Sequence, residues 1–487
     1  MSTRPNDAFA SAAATNLSDD HRLSQPDDAD EAVDRGVIRI PPQTNVPLPR
    51  RVAHLIDTSP MRRLSELSQL GVVSLVYPGA RHTRFEHTLG VYHAALRVLE
   101  SLERSAFFQQ RVSDTARDAF ILAALLHDVG HWPFCHPIED LDLGEIPRHE
   151  SRIAEIIDRG ELREAIRQDW RCGVDDVLKV LGVAPDRSDA DADADDDANS
   201  LALRFFASCL SGAIDIDKLD YLMRDSLHAG VPYGSHFDAP RLIDSITVHP
   251  DRPRLAIRHK GRTAAELMVM ARYVMFSEVY WHRAVRSATA MLQRSIFLLQ
   301  NRIDLPASLD MTDAQWIAMV RTMAAGSVAE PMVEGLFGRR RKLYKTVLQC
   351  QSRSGPSASD AGSRLHAKLA RRPYWYLVET AQQFAARLTD RLGVPVHAAD
   401  VLLDAPPVKL EVNIDIDIVH DDGGTTPLAD MSPLASALAH DQFSNRVKSV
   451  RVFVRDELRD TIQSSVPQNE LIQTLSDVVD TNDRELV

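Results

Sequence analysis

The stretch from Phe120 to His136 constrains this chain more than any other. It opens as an unbroken apolar run, Phe120-Ile121-Leu122-Ala123-Ala124-Leu125-Leu126. It closes as His127-Asp128-Val129-Gly130-His131-Trp132-Pro133-Phe134-Cys135-His136. An apolar run inside a helical pattern is a helix buried in a core. The imidazole and carboxylate that end it therefore sit at the edge of that core. Three His and one Asp within ten residues make a dense set of proton carriers and metal ligands. The other two His-Asp dipeptides lack this context. His420-Asp421 runs into Asp422-Gly423-Gly424, a turn, and His440-Asp441 lies near a helix end. Both read as surface punctuation.

Helical periodicity dominates from about residue 60 to about residue 303. It predicts helices over 60–70 (ending at Gly71), 83–104, 114–128, 149–159 and 201–227. A capping-box pattern, Thr263 to Glu266, opens a very long helix reaching about residue 302. A hairpin is expected over 245–258, turning at Pro250-Asp251-Arg252-Pro253. After residue 350 the period changes. Leu410, Val412, Ile414, Ile416 and Ile418 alternate with polar residues, and so do Val450, Val452 and Val454. The expectation is a mainly α fold: a helical core over 37–305, then a smaller C-terminal helical and α+β region over 306–487. Residues 1–36 read as a disordered tail, 186–199 as a solvated acidic loop and 352–363 as a linker.

The net charge of −13 belongs mostly to that tail and that loop. Residues 1–36 hold eight acidic and three basic residues, and 186–199 hold seven Asp and one Arg. The remaining body is close to neutral. It offers no basic stripe, so nucleic-acid binding is not indicated. No apolar run approaches the ~20 residues of a membrane span. Four cysteines without CxxC spacing indicate neither a zinc-thiolate cluster nor a disulfide framework. A cytoplasmic protein is expected.

Two further segments join the His-Asp run. Arg84-Phe85-Glu86-His87 opens a helix with Arg84 and His87 on one face. Within Asp215 to Asp225, Asp217, Tyr221 and Asp225 share a face, flanked by Lys218 and Arg224. A mixed imidazole/carboxylate sphere suits a divalent ion. Mn, Mg, Fe, Zn and Co all remain open.

The series His87, His127-Asp128, Asp217 resembles the H…HD…D signature of HD-domain metal-dependent phosphohydrolases. The flanks Gln69-Leu70-Gly71, Tyr77-Pro78-Gly79-Ala80 and His82 to Gly90 are similar to the deoxynucleoside triphosphate triphosphohydrolase branch, which holds the dGTPase-like enzymes and the animal sterile-alpha-motif HD protein. The resemblance covers roughly residues 50–300. It implies a helical HD core, a homo-oligomer, and hydrolysis of deoxynucleoside triphosphates to deoxynucleoside and triphosphate.

Carried over residue by residue, it implies that His87, His127, Asp128 and Asp217 hold the metal. His131 and Glu139 become a proton-handling pair, and His149, beside Glu150, the general acid. Arg84, Lys218 and Arg272 become phosphate ligands. Tyr221 and Asp225 contact sugar and phosphate, and Gln69, Leu70 and Tyr280 lie near the sugar. Three features depart from the family. Glu139 stands where Asp is common. Trp281 replaces a smaller polar residue near the base. Asp57 is retained but Ser65 replaces the Arg that, with that Asp, forms part of an allosteric site in nucleotide-activated relatives.

Two other readings stay open on the sequence. One is an HD-fold phosphohydrolase of nucleoside monophosphates, cyclic nucleotides or ribonucleotides. The other is a nucleotide-sensing or nucleic-acid-binding module without turnover.

Overall fold

The fold is described from a computed structural model covering residues 36–42, 45–103, 105–144, 146–183, 198–351, 360–405, 415–438 and 447–485. The tail expected in 1–36 and the acidic tract at 186–199 lie almost wholly outside the described residues. So do most of 352–363, Leu410 to Ile414 of the expected strand, and His440-Asp441.

The protein is mainly α-helical, with small sheets. Its centre is the apolar helix Asp114–Leu126, started by the Ser113 hydroxyl accepting from the Ala116 N–H. Every residue from Asp118 to Leu126 is buried, because the helix is covered on all sides. Helices Arg84–Leu102, Val174–Leu181 and Ala198–Leu210 pack around it. Phe120 stacks on Phe206 with ring centroids 4.5 Å apart.

Three predicted helices are interrupted. The span 60–70 is a short helix, Ser59–Arg63, followed by a 3₁₀ turn, Leu64–Glu66. The span 201–227 is two helices, Ala198–Leu210 and Ile216–Ala229. Asp215 starts the second one by accepting from the Lys218 N–H at 2.7 Å. That N-cap competes with a continuous helix and places Asp217 in a first turn. The long helix expected to 302 is Arg262–Met275, a π-helical turn at Phe276–Tyr280, and Arg283–Leu299. Thr263 and Glu266 do not form the expected capping box, since Gly261 is the N-cap and caps through no side chain.

The hairpin forms as expected, Ile246–Val248 against Leu255–Arg258. It is extended from far along the chain. Asp417–Val419 adds in parallel to Leu255–Arg258, with Ile418 opposite Ile257, and Thr425–Pro427 completes four strands. A second, antiparallel sheet sets Val450–Val454 between Lys345–Cys350 and Val401–Asp404. All five residues of the central strand are buried, so the alternation at Val450, Val452 and Val454 is a strand but not a half-exposed one. Among the described residues no helix is long and apolar enough to cross a membrane.

One buried ion pair ties this second sheet to the helical core. Asp404 accepts from Arg286 Nε at 3.1 Å and Nη2 at 2.5 Å, and Arg451 Nη1 lies 3.8 Å away. The Arg286 guanidinium also lies 4.5 Å above the Trp281 ring. Removing the carboxylate leaves buried guanidinium charge uncompensated. Asp404→Ala is therefore expected to cost about 3–5 kcal/mol of stability in denaturant unfolding. Wild-type stability would mean that the pair does not carry this junction.

Candidate metal and catalytic site

Three helices end or begin at one point. His87 lies one turn into Arg84–Leu102, which Thr83 starts by accepting from the Glu86 N–H. His127 follows directly on the apolar helix. Asp217 stands in the first turn of Ile216–Ala229. Their ligand atoms converge: His87 Nε2 is 3.0 Å from Asp217 Oδ1 and 3.2 Å from His127 Nε2.

The two rings are oriented from behind. His127 Nδ1 donates to the Ala124 carbonyl at 2.9 Å, and His87 Nδ1 donates to Asp220 Oδ2 at 2.8 Å. Both Nε2 atoms are thereby turned toward the shared point, as an imidazole ligand requires. Two imidazoles and a carboxylate so arranged fit a divalent cation. Burial opposes charge on His87, yet its hydrogen bonds to Asp217 and Asp220 prevail and raise it to about 10. A cation binding here would displace the His87 proton.

Asp220 is a site residue that the sequence reading missed. It is fully buried and also accepts from Arg224 Nε and Nη2, both at 2.8 Å. Arg224 in turn donates to Glu86 Oε1 at 2.8 Å. This network needs Gly90, because a Cβ there would lie 1.9 Å from Asp220 Oδ1 and 2.2 Å from Arg224 Nη2.

Asp128 stands beside the trio, its Oδ1 3.7 Å from His127 Nε2. Its carboxylate accepts from Arg84 Nη1 at 2.8 Å and lies 3.1 Å from His131 Nδ1, which donates to the Asp128 backbone carbonyl at 3.2 Å. So Arg84 and His131 are brought together through Asp128. Burial and then the Arg84 charge hold His131 well below its ordinary value, so it is neutral at pH 7. Arg63 fixes the loop by donating to the His131 carbonyl at 2.7 Å, and Arg152 by donating to the Gly130 carbonyl at 3.1 Å.

Glu139 takes His149 as its partner, in place of the His131 pairing expected from the resemblance. Its Oε1 accepts from the His149 ring Nδ1 at 3.0 Å and from its backbone N–H at 2.8 Å. Burial opposes ionisation of Glu139, but bonds from His136 and His149 hold it far below the usual carboxylate range. The His149 ring lies 4.0 Å from that of His131, centroid to centroid. Gly130 permits this approach, since a Cβ there would meet the His149 carbonyl at 2.2 Å.

The remaining expected residues line a second wall. Lys218 Nζ donates to Asp215 Oδ2 at 2.6 Å. Burial pushes the Tyr221 phenol up to about 12, against the nearby charges of Arg272 and Lys218. Tyr221 and Tyr280 rings are 6.5 Å apart, edge to face. Asp225 joins two elements: Oδ1 pairs with His82 Nε2 at 2.8 Å and Oδ2 accepts from Tyr280 at 2.5 Å. His82 is the second residue missed as a site member. The Gln69 N–H donates to the His82 carbonyl at 3.0 Å, and Leu70 packs at the edge of the same core. Trp281 is buried beneath Arg286, toward the second sheet.

Comparison with known proteins agrees with this geometry. Residues 84–191 match the HD domain, and residues 237–473 match the HD associated region. A putative HD domain-containing protein of Acanthamoeba polyphaga mimivirus is 33% identical over 346 residues, 62% of this chain and 71% of that protein. The chain belongs to the HD-domain family. Deoxynucleoside triphosphate triphosphohydrolase SAMHD1 of Danio rerio is 25% identical over 351 residues, 68% of this chain and 53% of that protein. The crystal structure of a hypothetical protein from Aquifex aeolicus superposes with a TM-score of 0.64 at 26% identity, over 89% of this chain and all of that one.

Two outcomes are expected at the trio of this HD-domain protein. Metal binding near pH 8 should release about one proton, and affinity should fall about tenfold per unit as pH drops below the His87 value. Calorimetry in buffers of different ionisation enthalpy reads this directly. Zero proton release would mean that His87 is already neutral before the cation binds. Asp220→Asn should lower metal affinity about 10–100-fold by loosening the His87 ring, and unchanged affinity would remove Asp220 from the site.

Proposed function

We propose that this protein hydrolyses deoxynucleoside triphosphates to deoxynucleoside and intact triphosphate, by water attack at the α-phosphorus. One observation carries the reading. Gln69 holds its carboxamide oxygen buried, without a hydrogen-bond partner among the described residues. It lies beside His82, whose ring continues through Asp225 to Tyr280. A buried acceptor of this kind calls for a donor from a ligand, and a sugar hydroxyl provides one. Leu70 and Tyr280 then flank C2′ and leave a 2′-hydroxyl without room or partner. The name of the Danio rerio relative supports the same substrate class.

The phosphates face cations. Arg84 stands beside Asp128, and Arg272 lies near enough to Lys218 and Tyr221 for its charge to act on both. Asp128 and Asp215 hold Arg84 and Lys218 in place by direct ion pairs, and a triphosphate would meet the same cations with its several anionic oxygens. A divalent cation held by His87, His127 and Asp217 supplies Lewis acidity toward the phosphate being cleaved. His149, oriented by the Glu139 carboxylate, hands a proton from its Nε2 edge to the departing 5′-oxygen. Asp128 keeps neutral His131 in the tautomer with Nδ1 protonated. The active protein is a homo-oligomer in this reading.

The test is a turnover panel of four dNTPs, four NTPs and the matching monophosphates with Mn²⁺ or Mg²⁺, products resolved by chromatography. Deoxynucleoside plus triphosphate is expected. Orthophosphate from monophosphates would assign a different phosphohydrolase, and no turnover would favour a sensor. His149→Ala should lower kcat about 10²–10⁴-fold with metal content unchanged. An unaltered rate would remove His149 from proton transfer.

A further inference from the structure

A second cluster of ligand atoms stands next to the trio. His131, Cys135, His136 and His149 each offer one ligand atom, and these four atoms all lie within 4.8 Å of one another. The cluster follows from a local kink. Phe134 adopts a left-handed conformation, φ 54°, and caps the short helix Cys135–Glu139. The ring centroids of His131, His136 and His149 are then 4.0, 5.1 and 5.2 Å apart.

The back edges of all three rings face carboxylates. His131 Nδ1 is 3.1 Å from Asp128 Oδ1, His149 Nδ1 is 3.0 Å from Glu139 Oε1, and His136 Nδ1 is 3.7 Å from Glu139 Oε2. A carboxylate behind an imidazole is the usual support of a metal-binding histidine, because it turns Nε2 outward as a bare lone pair. His131 shows the result most plainly. Its side chain is almost wholly buried, and its Nε2 has no hydrogen-bond partner among the described residues. An unpartnered buried acceptor is costly, and a bound cation would satisfy it.

We propose that His131, Cys135, His136 and His149 form a second metal site, selective for a zinc-class cation, whose occupancy switches catalysis off. The donor set decides the class. Three imidazoles and one thiol suit a borderline-soft ion, whereas the trio of His87, His127 and Asp217 also accepts harder ions such as Mg²⁺ and Mn²⁺. Zinc bonds of about 2.0–2.3 Å place tetrahedral ligand atoms about 3.3–3.8 Å apart, so small side-chain rotations close the set. On binding, the Cys135 thiol proton passes to solvent and the sulfur lone pair goes to the cation. His136, with its side chain 62% exposed, is where the cation first meets the cluster. The switch follows because the captured Nε2 of His149 is the edge that donates to the leaving oxygen. That consequence rests on the function proposed above, but the metal site itself does not.

The full chain is loaded with Mn²⁺ and titrated with Co²⁺ in an optical cell. A near-ultraviolet thiolate-to-cobalt charge-transfer band is expected, saturating at one ion per chain, because the trio contains no sulfur. Cys135→Ser should abolish the band and His136→Ala should weaken Co²⁺ binding about 10–100-fold. Cys135→Ser should keep basal turnover, while the Zn²⁺ concentration that halves its turnover rises about 10–100-fold. No band in the wild type, or a band that survives Cys135→Ser, overturns the site. Equal Zn²⁺ inhibition of wild type and Cys135→Ser overturns the switch. If the substrate panel finds no turnover, the function falls and the cobalt band still decides the site.

Discussion

The interaction on which the site depends is the clamp on His87. Its imidazole lies between two carboxylates, Asp217 in front and Asp220 behind. Both come from the helix Ile216–Ala229, three residues apart, so one helix sets the distance between ligand and support. Gly90, on the helix of His87 itself, lets the two backbones come close enough for the clamp to close. The buried pair of Asp220 and Arg224 then makes the helix contact directional, because neither charge can leave without stranding the other. A metal site needs ligands held before the ion arrives. This packing supplies that order from a core of ordinary aliphatic residues.

Much of this was legible in the sequence. The His127-Asp128 run announced itself by its position after an unbroken apolar helix, and three of the four expected ligands, His87, His127 and Asp217, converge, with Asp128 Oδ1 3.7 Å from His127 Nε2. Asp220 escaped notice, although its spacing of i+3 from Asp217 and i−4 from Arg224 was readable as an ion-pair ladder. Gly90 carried a signal too, since glycine inside a helix costs about 1 kcal/mol against alanine and needs a packing reason. Other features had little or no such signal. The break at Ser211 to Asp215 is marked only by Gly212 and by Asp215, which accepts from the Gly212 N–H at 2.8 Å, a faint mark inside a helical pattern. The π turn at Phe276–Tyr280 shifts register without any proline or glycine. The strand Asp417–Val419 could be read as a strand, but its parallel partner lies far away in the chain.

The HD-associated region is more than an appendage. It holds both the hairpin of residues 246–258 and the late strand Asp417–Val419 that extends it, and its Arg286–Asp404 pair joins the helix after Tyr280 to the second sheet. Tyr280 itself bonds to Asp225 on the metal helix. A continuous line of contacts thus runs from the second sheet to the wall of the site. Two sets of histidines share this wall's neighbour, one supported by Asp220, the other by Asp128 and Glu139. Their closeness makes proton handling and metal capture competing uses of the same imidazoles.

The central claim is that His87, His127 and Asp217 hold one divalent cation. Anomalous diffraction from crystals grown with Mn²⁺ tests it most directly. A single strong peak is expected within bonding distance of His87 Nε2, His127 Nε2 and an Asp217 oxygen. A peak bonded to neither imidazole, or none at saturating Mn²⁺, would contradict it.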